Sequence, residues 1–99
     1  MDTKLLNVLP SNKADKKYTA TFINTKTKRT KRVHFGAAKF DDYTITKDKE
    51  QRARYRGRHQ KDLKTQDPTR AGYLSYYILW GDSTSIKKNI ADYKKRFKL

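Results

Sequence analysis

The segment 72–81 is the most apolar part of the chain, and it constrains the fold more than any other feature. It reads Gly-Tyr-Leu-Ser-Tyr-Tyr-Ile-Leu-Trp-Gly, so that large side chains follow one another almost without interruption. A helix with apolar side chains on nearly every face is normally buried. Asp67 suits the N-cap, Pro68 the first turn, and Gly81 the position just past the end. The sequence therefore predicts a core helix over residues 68–80, on which the more polar remainder must pack.

Two alternating segments precede this helix and predict a β-hairpin. Residues 17–24 and 30–35 are rich in β-formers, and residues 24–29 between them form a polar turn. Residues 4–9 are a weaker candidate for a third strand. One face of the first segment carries Tyr18, Ala20 and Phe22; in the second, Thr30, Arg32 and His34 alternate with Lys31, Val33 and Phe35.

Two more helices are expected beside the core helix. The first spans about residues 47–61, with Thr46 as its N-cap, and a linker follows over residues 61–66. The second spans about residues 84–97, and its apolar stripe consists of Ile86, Ile90, Tyr93 and Phe97. The fold class is thus α+β: a small antiparallel sheet of two to three strands followed by three helices. Residues 17–99 form a single basic domain, and residues 1–16 a partly flexible N-terminal segment.

Charge gives the strongest indication of a partner. The chain has 25 Lys and Arg against ten Asp and Glu, a net charge of +15. Repulsion on this scale opposes compaction unless a polyanion screens it, and nucleic acid phosphates are the first candidate. An acidic protein surface and an anionic membrane are the next candidates, and a charge that serves only solubility is the simplest alternative.

The chain has no cysteine, no apolar run long enough to span a bilayer and no signal-peptide hydrophobic region, which predicts a soluble intracellular protein.

Three separate segments are basic. Residues 26–32 contain five cations and no acid, residues 47–64 eight cations against three acids, and residues 86–99 six against one. If they share one side of the fold, they make a surface that follows a phosphate backbone. The residues predicted to contact nucleic acid are Lys28, Arg29, Arg52, Arg54, Arg56, Lys87, Lys88, Lys94 and Lys95. The alternative is a solvated helix with some of its arginines paired to Asp41, Asp42 or Asp48. Arg58 or Arg52 is expected to be a structural exception that pairs inward with Asp42.

Enzymatic chemistry has little support in the sequence. His34 and His59 could in principle build a nuclease site with a nearby Asp, but their spacing is not that of a metal site. Packed structural histidines are the better interpretation. Ser75 lies within the core helix, where its hydroxyl is expected to bond a carbonyl of its own turn. The aromatic residues of this helix are expected in the core rather than on a base-stacking surface. We therefore expect no enzyme, no cofactor and no metal.

Several short elements, in order, resemble a known protein family. They are His34-Phe35-Gly36, Asp42-Tyr43-Thr44, Arg52 through Tyr55 to Arg58-His59, Leu74-Ser75 with Leu79-Trp80-Gly81, and Lys94-Lys95-Arg96-Phe97. Over roughly residues 17–98 the chain is similar to small basic proteins of uncharacterised function that are encoded by giant viruses, the large nucleocytoplasmic DNA viruses. The resemblance implies a viral origin, a place in the virion or inside the host cell (virus factory or nucleus), and no catalytic residues.

The resulting functional expectation is non-enzymatic binding of nucleic acid, with DNA favoured, through phosphate contacts. Genome packaging, genome protection or another DNA-associated role would fit. The alternative is a structural virion protein that binds acidic capsid or core proteins. The sequence leaves four questions open: whether the ligand is DNA or RNA, whether it is single- or double-stranded, what the oligomeric state is, and whether the three basic segments share one face.

Overall fold

The computed structural model describes residues 2–99 and contains a three-stranded antiparallel sheet. Strand β1 (Thr3–Pro10) pairs with β2 (Lys16–Asn24), which pairs with β3 (Thr30–Ala37), so the order is β1-β2-β3. The predicted hairpin is confirmed, and the weaker candidate at residues 4–9 is the third strand. The expected α+β class, a small sheet followed by helices, is also confirmed.

The register of the sheet places its apolar side chains on one face. Tyr18 pairs with Phe35, and Leu5 pairs with Phe22. All of these except the half-buried Tyr18 are buried in the core. The backbone N–H of Leu5 donates to the carbonyl of Leu99 at 3.2 Å, so the first strand and the last residue meet. The buried side chains on this face belong to one core cluster with Leu74, Ile78 and Leu79 of the segment 71–79.

Four α-helices follow the sheet, one more than predicted. They are α1 (Tyr43–Thr46), α2 (Lys49–His59), which continues as a 3-10 helix (Gln60–Thr65), α3 (Ala71–Leu74), which continues as a π-helical turn (Ser75–Leu79), and α4 (Ile86–Phe97). We call residues 71–79 the core helix. No described helix has the length and apolar character needed to cross a membrane.

The boundary before α2 differs from the prediction because two caps lie close together. Asp42 caps α1 by accepting from the Thr44 N–H at 2.8 Å, and Lys47 ends that helix with φ +58°. Asp48, not Thr46, then caps α2 by accepting from two N–H groups of its first turn. The predicted linker over residues 61–66 was wrong, since most of it is the 3-10 helix. The predicted start of α4 at residue 84 was early, because Ser85 is its N-cap.

The core helix begins at Ala71, three residues later than predicted. The carboxylate of Asp67 accepts from the N–H of Thr69 at 2.9 Å and from its hydroxyl at 2.6 Å, which closes a separate turn around Pro68. Arg70 is extended and occupies the N-cap position without a side-chain bond. The Asp67-Pro68 signal was therefore a turn signal rather than a helix start.

The end of the core helix is a wide turn that depends on a glycine. The Trp80 N–H donates to the Ser75 carbonyl at 3.1 Å, five residues back. A Cβ on Gly81 would lie 2.1 Å from the Tyr77 carbonyl oxygen, so no other residue fits there without a shift of the backbone. The predicted role of Gly81 just past the helix end agrees with this geometry.

Asn89 of α4 fixes the loop that follows the core helix. Its side chain is 1% exposed, and its Nδ2 donates to the carbonyls of Ile78 at 2.8 Å and Ser83 at 2.7 Å. Its Oδ1 accepts from the Ser83 N–H at 3.0 Å. One amide thus satisfies three backbone groups that would otherwise lose their partners inside the protein.

We expect Asn89→Ala to lower the free energy of unfolding by about 3 kcal/mol, because it leaves buried carbonyls and an N–H without partners. Urea denaturation followed by circular dichroism measures the change. Lys95→Ala, on the exposed side of the same helix, should change it by less than about 0.5 kcal/mol. An Asn89→Ala protein as stable as the Lys95→Ala control would contradict this assignment.

Candidate nucleic-acid interface

Arg52 and Arg56 lie one turn apart on α2 and face the loop after the core helix. Arg52 Nη1 donates to the carbonyls of Gly81 at 3.1 Å and Asp82 at 3.3 Å. Its guanidinium also lies over the ring of Tyr43, 4.4 Å from the centroid. Arg52 is therefore bound within the protein, which its assignment as a phosphate contact did not anticipate.

Arg56 binds the end of the core helix in the same way. Its Nε donates to the Trp80 carbonyl at 2.8 Å, and its Nη2 pairs with Asp82 at 3.0 Å. Carbonyls at a helix end lack partners within the helix, so the guanidinium supplies a donor that the backbone cannot. The hydrogen bond from Arg56 is the main cause that lowers the pKa of Asp82 below its usual value.

The other arginines of α2 point elsewhere. Arg54 is exposed, as the helical periodicity requires for a residue two positions from Arg52 and two from Arg56. Arg58 is also exposed and lies at the rim of a cavity on the far side of the helix. Arg54 is thus the predicted α2 contact that remains available to an external phosphate without giving up a contact inside the protein.

Asp42 pairs with Lys17 rather than with an arginine of α2. The Lys17 Nζ lies 2.5 Å from Asp42 Oδ2, and the side chain of Asp42 is 2% exposed. The expectation that Arg52 or Arg58 binds Asp42 was wrong, because the start of β2 approaches this carboxylate from 25 residues earlier in the chain. Asp42 also accepts from the Thr44 hydroxyl, so its role is structural.

Helix α4 presents its predicted contacts to solvent. Tyr93 is buried and its hydroxyl donates to the Pro68 carbonyl, which anchors the apolar side of the helix. The four predicted contacts on this helix are all exposed: Lys87, Lys88, Lys94 and Lys95. At about 100° per residue, they form two adjacent stripes, one with Lys87 and Lys94 and the other with Lys88 and Lys95.

The hairpin turn between β2 and β3 is organised by Asn24. Its Oδ1 accepts from the N–H groups of Lys26 at 2.9 Å and Thr27 at 3.1 Å. Lys28 adopts φ +62°, and its N–H donates to the Asn24 carbonyl at 2.7 Å. Both predicted contacts in this turn, Lys28 and Arg29, are exposed. The turn thus has a defined backbone that holds cations in solvent.

A groove of about 230 Å³ brings two of the three basic segments together. Arg56 of α2 and Arg96 of α4 both line it, with Tyr76 and Tyr77 of the core helix between them. Arg96 lies over the Tyr77 ring at 4.9 Å and Arg56 over the Tyr76 ring at 5.8 Å. Asp82 and Asp92 also line the groove. The hairpin turn contributes no residue to it.

Arg96 is a groove residue that the sequence prediction left out of the contact set. It lies in the same basic run as Lys94 and Lys95, but nothing in the run shows which member faces the core helix. The spacing from Asn89 could have identified Arg96, because residues seven positions apart lie on the same side of a helix and Asn89 is buried. Asn89, however, had not been recognised as a core residue.

Most of the cations have no acidic partner. Within residues 2–99, the Lys and Arg side chains that pair with a carboxylate are Lys17, Lys26, Arg56 and Arg70. The chain contains 25 Lys and Arg in all. The fold therefore leaves nearly all of the excess positive charge unneutralised at its surface.

The two histidines have partners within the fold. His34 Nδ1 lies 2.7 Å from the Thr19 hydroxyl and 3.0 Å from the Ser11 hydroxyl. His59 Nδ1 lies 3.0 Å from Asp62 Oδ2. Among residues 2–99, no three His, Cys, Asp or Glu side chains cluster as metal ligands would.

The aromatic residues of the core helix were predicted to lie in the core. The prediction was right for Tyr73 and Trp80, which are buried in the core, whereas Tyr76 and Tyr77 are half-buried beside the groove.

A comparison with protein families places the chain. Residues 6–59 match the model of a family of unknown function (DUF5754). The chain belongs to this family. The DUF5754 match begins within β1 and ends with α2, so it includes the hairpin turn, Asp42 and the arginines of α2. No match was found among the curated proteins or among the solved structures.

Arg56→Gln should lower the free energy of unfolding by about 1–2 kcal/mol, because the Trp80 carbonyl and Asp82 lose a charged donor. Arg54→Gln removes the same charge from the exposed side of the helix and should cost less than about 0.5 kcal/mol. Urea denaturation at pH 7 measures both. Equal losses for the two variants would show that Arg56 does not bind the core helix as described.

The stability difference between the wild type and Arg56→Gln should depend on pH. The pKa of Asp82 is lowered in the folded protein, so its pairing with Arg56 stabilises the fold above the usual carboxyl pKa of 3.8. That contribution is lost as the pH falls through the lowered pKa. Urea denaturation of both proteins between pH 7 and pH 2 measures this. The difference in free energy of unfolding between the wild type and Arg56→Gln should become smaller only at the acidic end of this range.

Proposed function

We propose that this protein binds nucleic acid without catalysis, through sequence-independent phosphate contacts, and that DNA is its main partner. The observation that supports the proposal is the set of exposed cations without acidic partners on the hairpin turn, α2 and α4. Such cations release condensed counterions when they contact phosphates, which favours binding. The bound phosphates would also reduce the mutual repulsion among the positive charges of a chain with a net charge of +15.

The contact set divides by role. The exposed lysines of α4 and the hairpin turn, together with Arg54, are free to meet a phosphate backbone. Arg52 and Arg56 act mainly by fixing α2 against the loop that also holds α4. In the groove, stacking on Tyr77 restrains the guanidinium of Arg96, so it loses less freedom when it binds a phosphate. The residues that we propose to contact phosphate are Lys28, Arg29, Arg54, Lys87, Lys88, Lys94, Lys95 and Arg96.

The biological setting that we propose follows from the resemblance to small basic proteins of giant viruses. A viral protein of this charge would package or protect the genome, or act on DNA in the infected cell. The virion, the virus factory and the nucleus are the compartments where that DNA lies. Detection of the protein in purified virions, or at the virus factory by immunofluorescence, tests this setting.

A second candidate is a structural virion protein that binds acidic capsid or core proteins. It is supported by large apolar side chains that remain exposed outside the groove: Leu6, Leu9, Phe40 and Ile45. Apolar contacts beside basic ones suit a protein partner better than a phosphate backbone. Co-migration of the protein with capsid shells emptied of DNA would favour this candidate.

The main experiment measures fluorescence anisotropy of labelled duplex DNA, single-stranded DNA and RNA across a salt series. Each duplex phosphate contact should contribute about −0.9 to the slope of log K against log salt. We expect a steep negative slope with all three ligands and the highest affinity for DNA. Affinity that does not change between low and moderate salt would contradict the proposal.

Paired charge removals locate the contacts. Lys87→Gln with Lys94→Gln should make the slope shallower by about 1–2, because up to two phosphate contacts are lost. The matched control is Lys4→Gln with Lys13→Gln, which removes the same charge from exposed residues outside the proposed set. At 0.1 M salt and above, screening over about 10 Å should leave the control slope unchanged. Equal effects of the two pairs would show that only net charge matters.

A further inference from the structure

A second, larger cavity lies on the other side of α2 and is not explained by phosphate contacts. Its volume is about 740 Å³, within the range of roughly 300–1,000 Å³ that is usual for small-molecule sites. It is open to solvent and is lined by the start of β2, the end of β3 with the loop that follows it, α2 with the start of the 3-10 helix, and the core helix. None of the residues assigned above to nucleic-acid contacts lines it.

Three aromatic rings are stacked along one wall of this cavity. Trp80 and Tyr55 lie 4.3 Å apart with an angle of 8° between their planes, and Tyr55 and His59 lie 4.1 Å apart at 21°. His59 ends the stack, and its side chain is 39% exposed. Burial, with a smaller effect of the Asp62 charge, raises the pKa of Tyr55 to about 12, which agrees with its position inside the stack. The stack therefore ends at a partly exposed ring.

A further aromatic ring stands near the mouth of the cavity. Phe40 lies in the loop between β3 and α1, lines the cavity and is 73% exposed. No core contact explains a phenylalanine at this position. A planar ligand in the cavity would cover it and remove its apolar surface from water.

The charges in the cavity favour an anion after internal pairs are set aside. Asp42 is paired with Lys17. Asp62 contacts His59, whose imidazole offsets the Asp62 charge only when it is protonated. The remaining charged side chains of the lining are the cations Lys16, Lys39 and Arg58 and the acid Asp41, so the cations outnumber the acids even when Asp62 is counted. The guanidinium of Arg58 offers a fork of donors that matches a phosphate group.

We propose that this cavity binds a nucleotide. The planar base packs against the exposed end of the ring stack at His59 and against Phe40, and Arg58 with Lys39 binds the phosphate. The chemistry is that of one nucleoside monophosphate, which can be a free nucleotide or an unpaired nucleotide of a strand. The proposal does not depend on phosphate tracking by α4 and the hairpin turn, since the two sets of residues are separate.

Trp80 reports on this site because it is the single tryptophan of the chain and lines the cavity. Titration with adenosine 5′-monophosphate should change its fluorescence saturably with one site per chain. Adenosine and inorganic phosphate should each bind at least about tenfold more weakly, because each lacks half of the recognised groups. A matching affinity for inorganic phosphate would overturn the proposal, since general charge attraction would then explain the binding.

Two variants test the assigned residues, and a third serves as the control. Phe40→Ala should weaken binding of the monophosphate about fivefold or more by removing a stacking ring. Arg58→Gln should weaken it about tenfold by removing the phosphate fork. Lys49→Gln removes one positive charge from an exposed position of the same helix, outside both the cavity and the proposed contact set, and should leave the affinity unchanged. Far-UV circular dichroism establishes that all three variants fold. Losses as large in Lys49→Gln as in Arg58→Gln would overturn the assignment.

A single-stranded oligonucleotide distinguishes the two sources of the nucleotide. If the oligonucleotide changes Trp80 fluorescence and excess monophosphate reverses that change, the site accepts an unpaired nucleotide of a strand. A response to the monophosphate alone assigns the site to a free nucleotide. No saturable response to either probe overturns the proposal, and DNA anisotropy measured on the same protein shows separately whether phosphate binding is intact.

Discussion

The hydrogen bonds from Arg52 and Arg56 to the carbonyls of residues 80–82 hold α2 against the loop after the core helix. Helix α2 buries no residue completely, so it cannot be held by apolar packing alone. It is held by these bonds and by the stacking of Tyr55 on Trp80. Asn89 binds the same loop from α4. The loop after the core helix is therefore the junction at which two basic helices meet, and its position depends on charged donors inside a chain that has few acids.

This arrangement explains how a strongly basic chain can fold and still present its charge outward. Arginines that face the junction donate to backbone carbonyls, which carry partial negative charge, and Arg56 also pairs with the Asp82 carboxylate. The lysines of α4 and Lys28 of the hairpin turn form no ion pair within residues 2–99 and stay in solvent. An external polyanion is the ligand that such a surface fits best. The cavity on the opposite side of α2 has a different composition, with stacked rings and a few unpaired cations, and so suits one nucleotide rather than a backbone.

The strands and helices were predicted correctly where the spacing of apolar residues in the sequence shows which side of the element is buried. The alternation in β2 and β3, the apolar segment that ends at Trp80 and the stripe on α4 all gave the correct elements. The prediction failed where two signals compete locally, as at Asp67-Pro68, which closes a turn instead of starting a helix. It also could not show which arginines of α2 face the core, because Arg52 and Arg56 lie on one side of the helix, Arg54 and Arg58 on the opposite side, and α2 buries no residue that would mark the inner side. The partner of Asp42 was out of reach for a different reason, since Lys17 arrives from a strand far away in the sequence.

The most direct test of the central claim is a solution NMR titration of the folded protein with a short DNA duplex at moderate salt. The claim is that the exposed cations of the hairpin turn, α2 and α4 form the contact surface. We predict backbone amide shifts concentrated in residues 26–32, around Arg54 and along residues 87–96. The amides of β1 should change little. Shifts confined to β1 and β2, or no shifts at DNA concentrations that saturate binding, would contradict the claim.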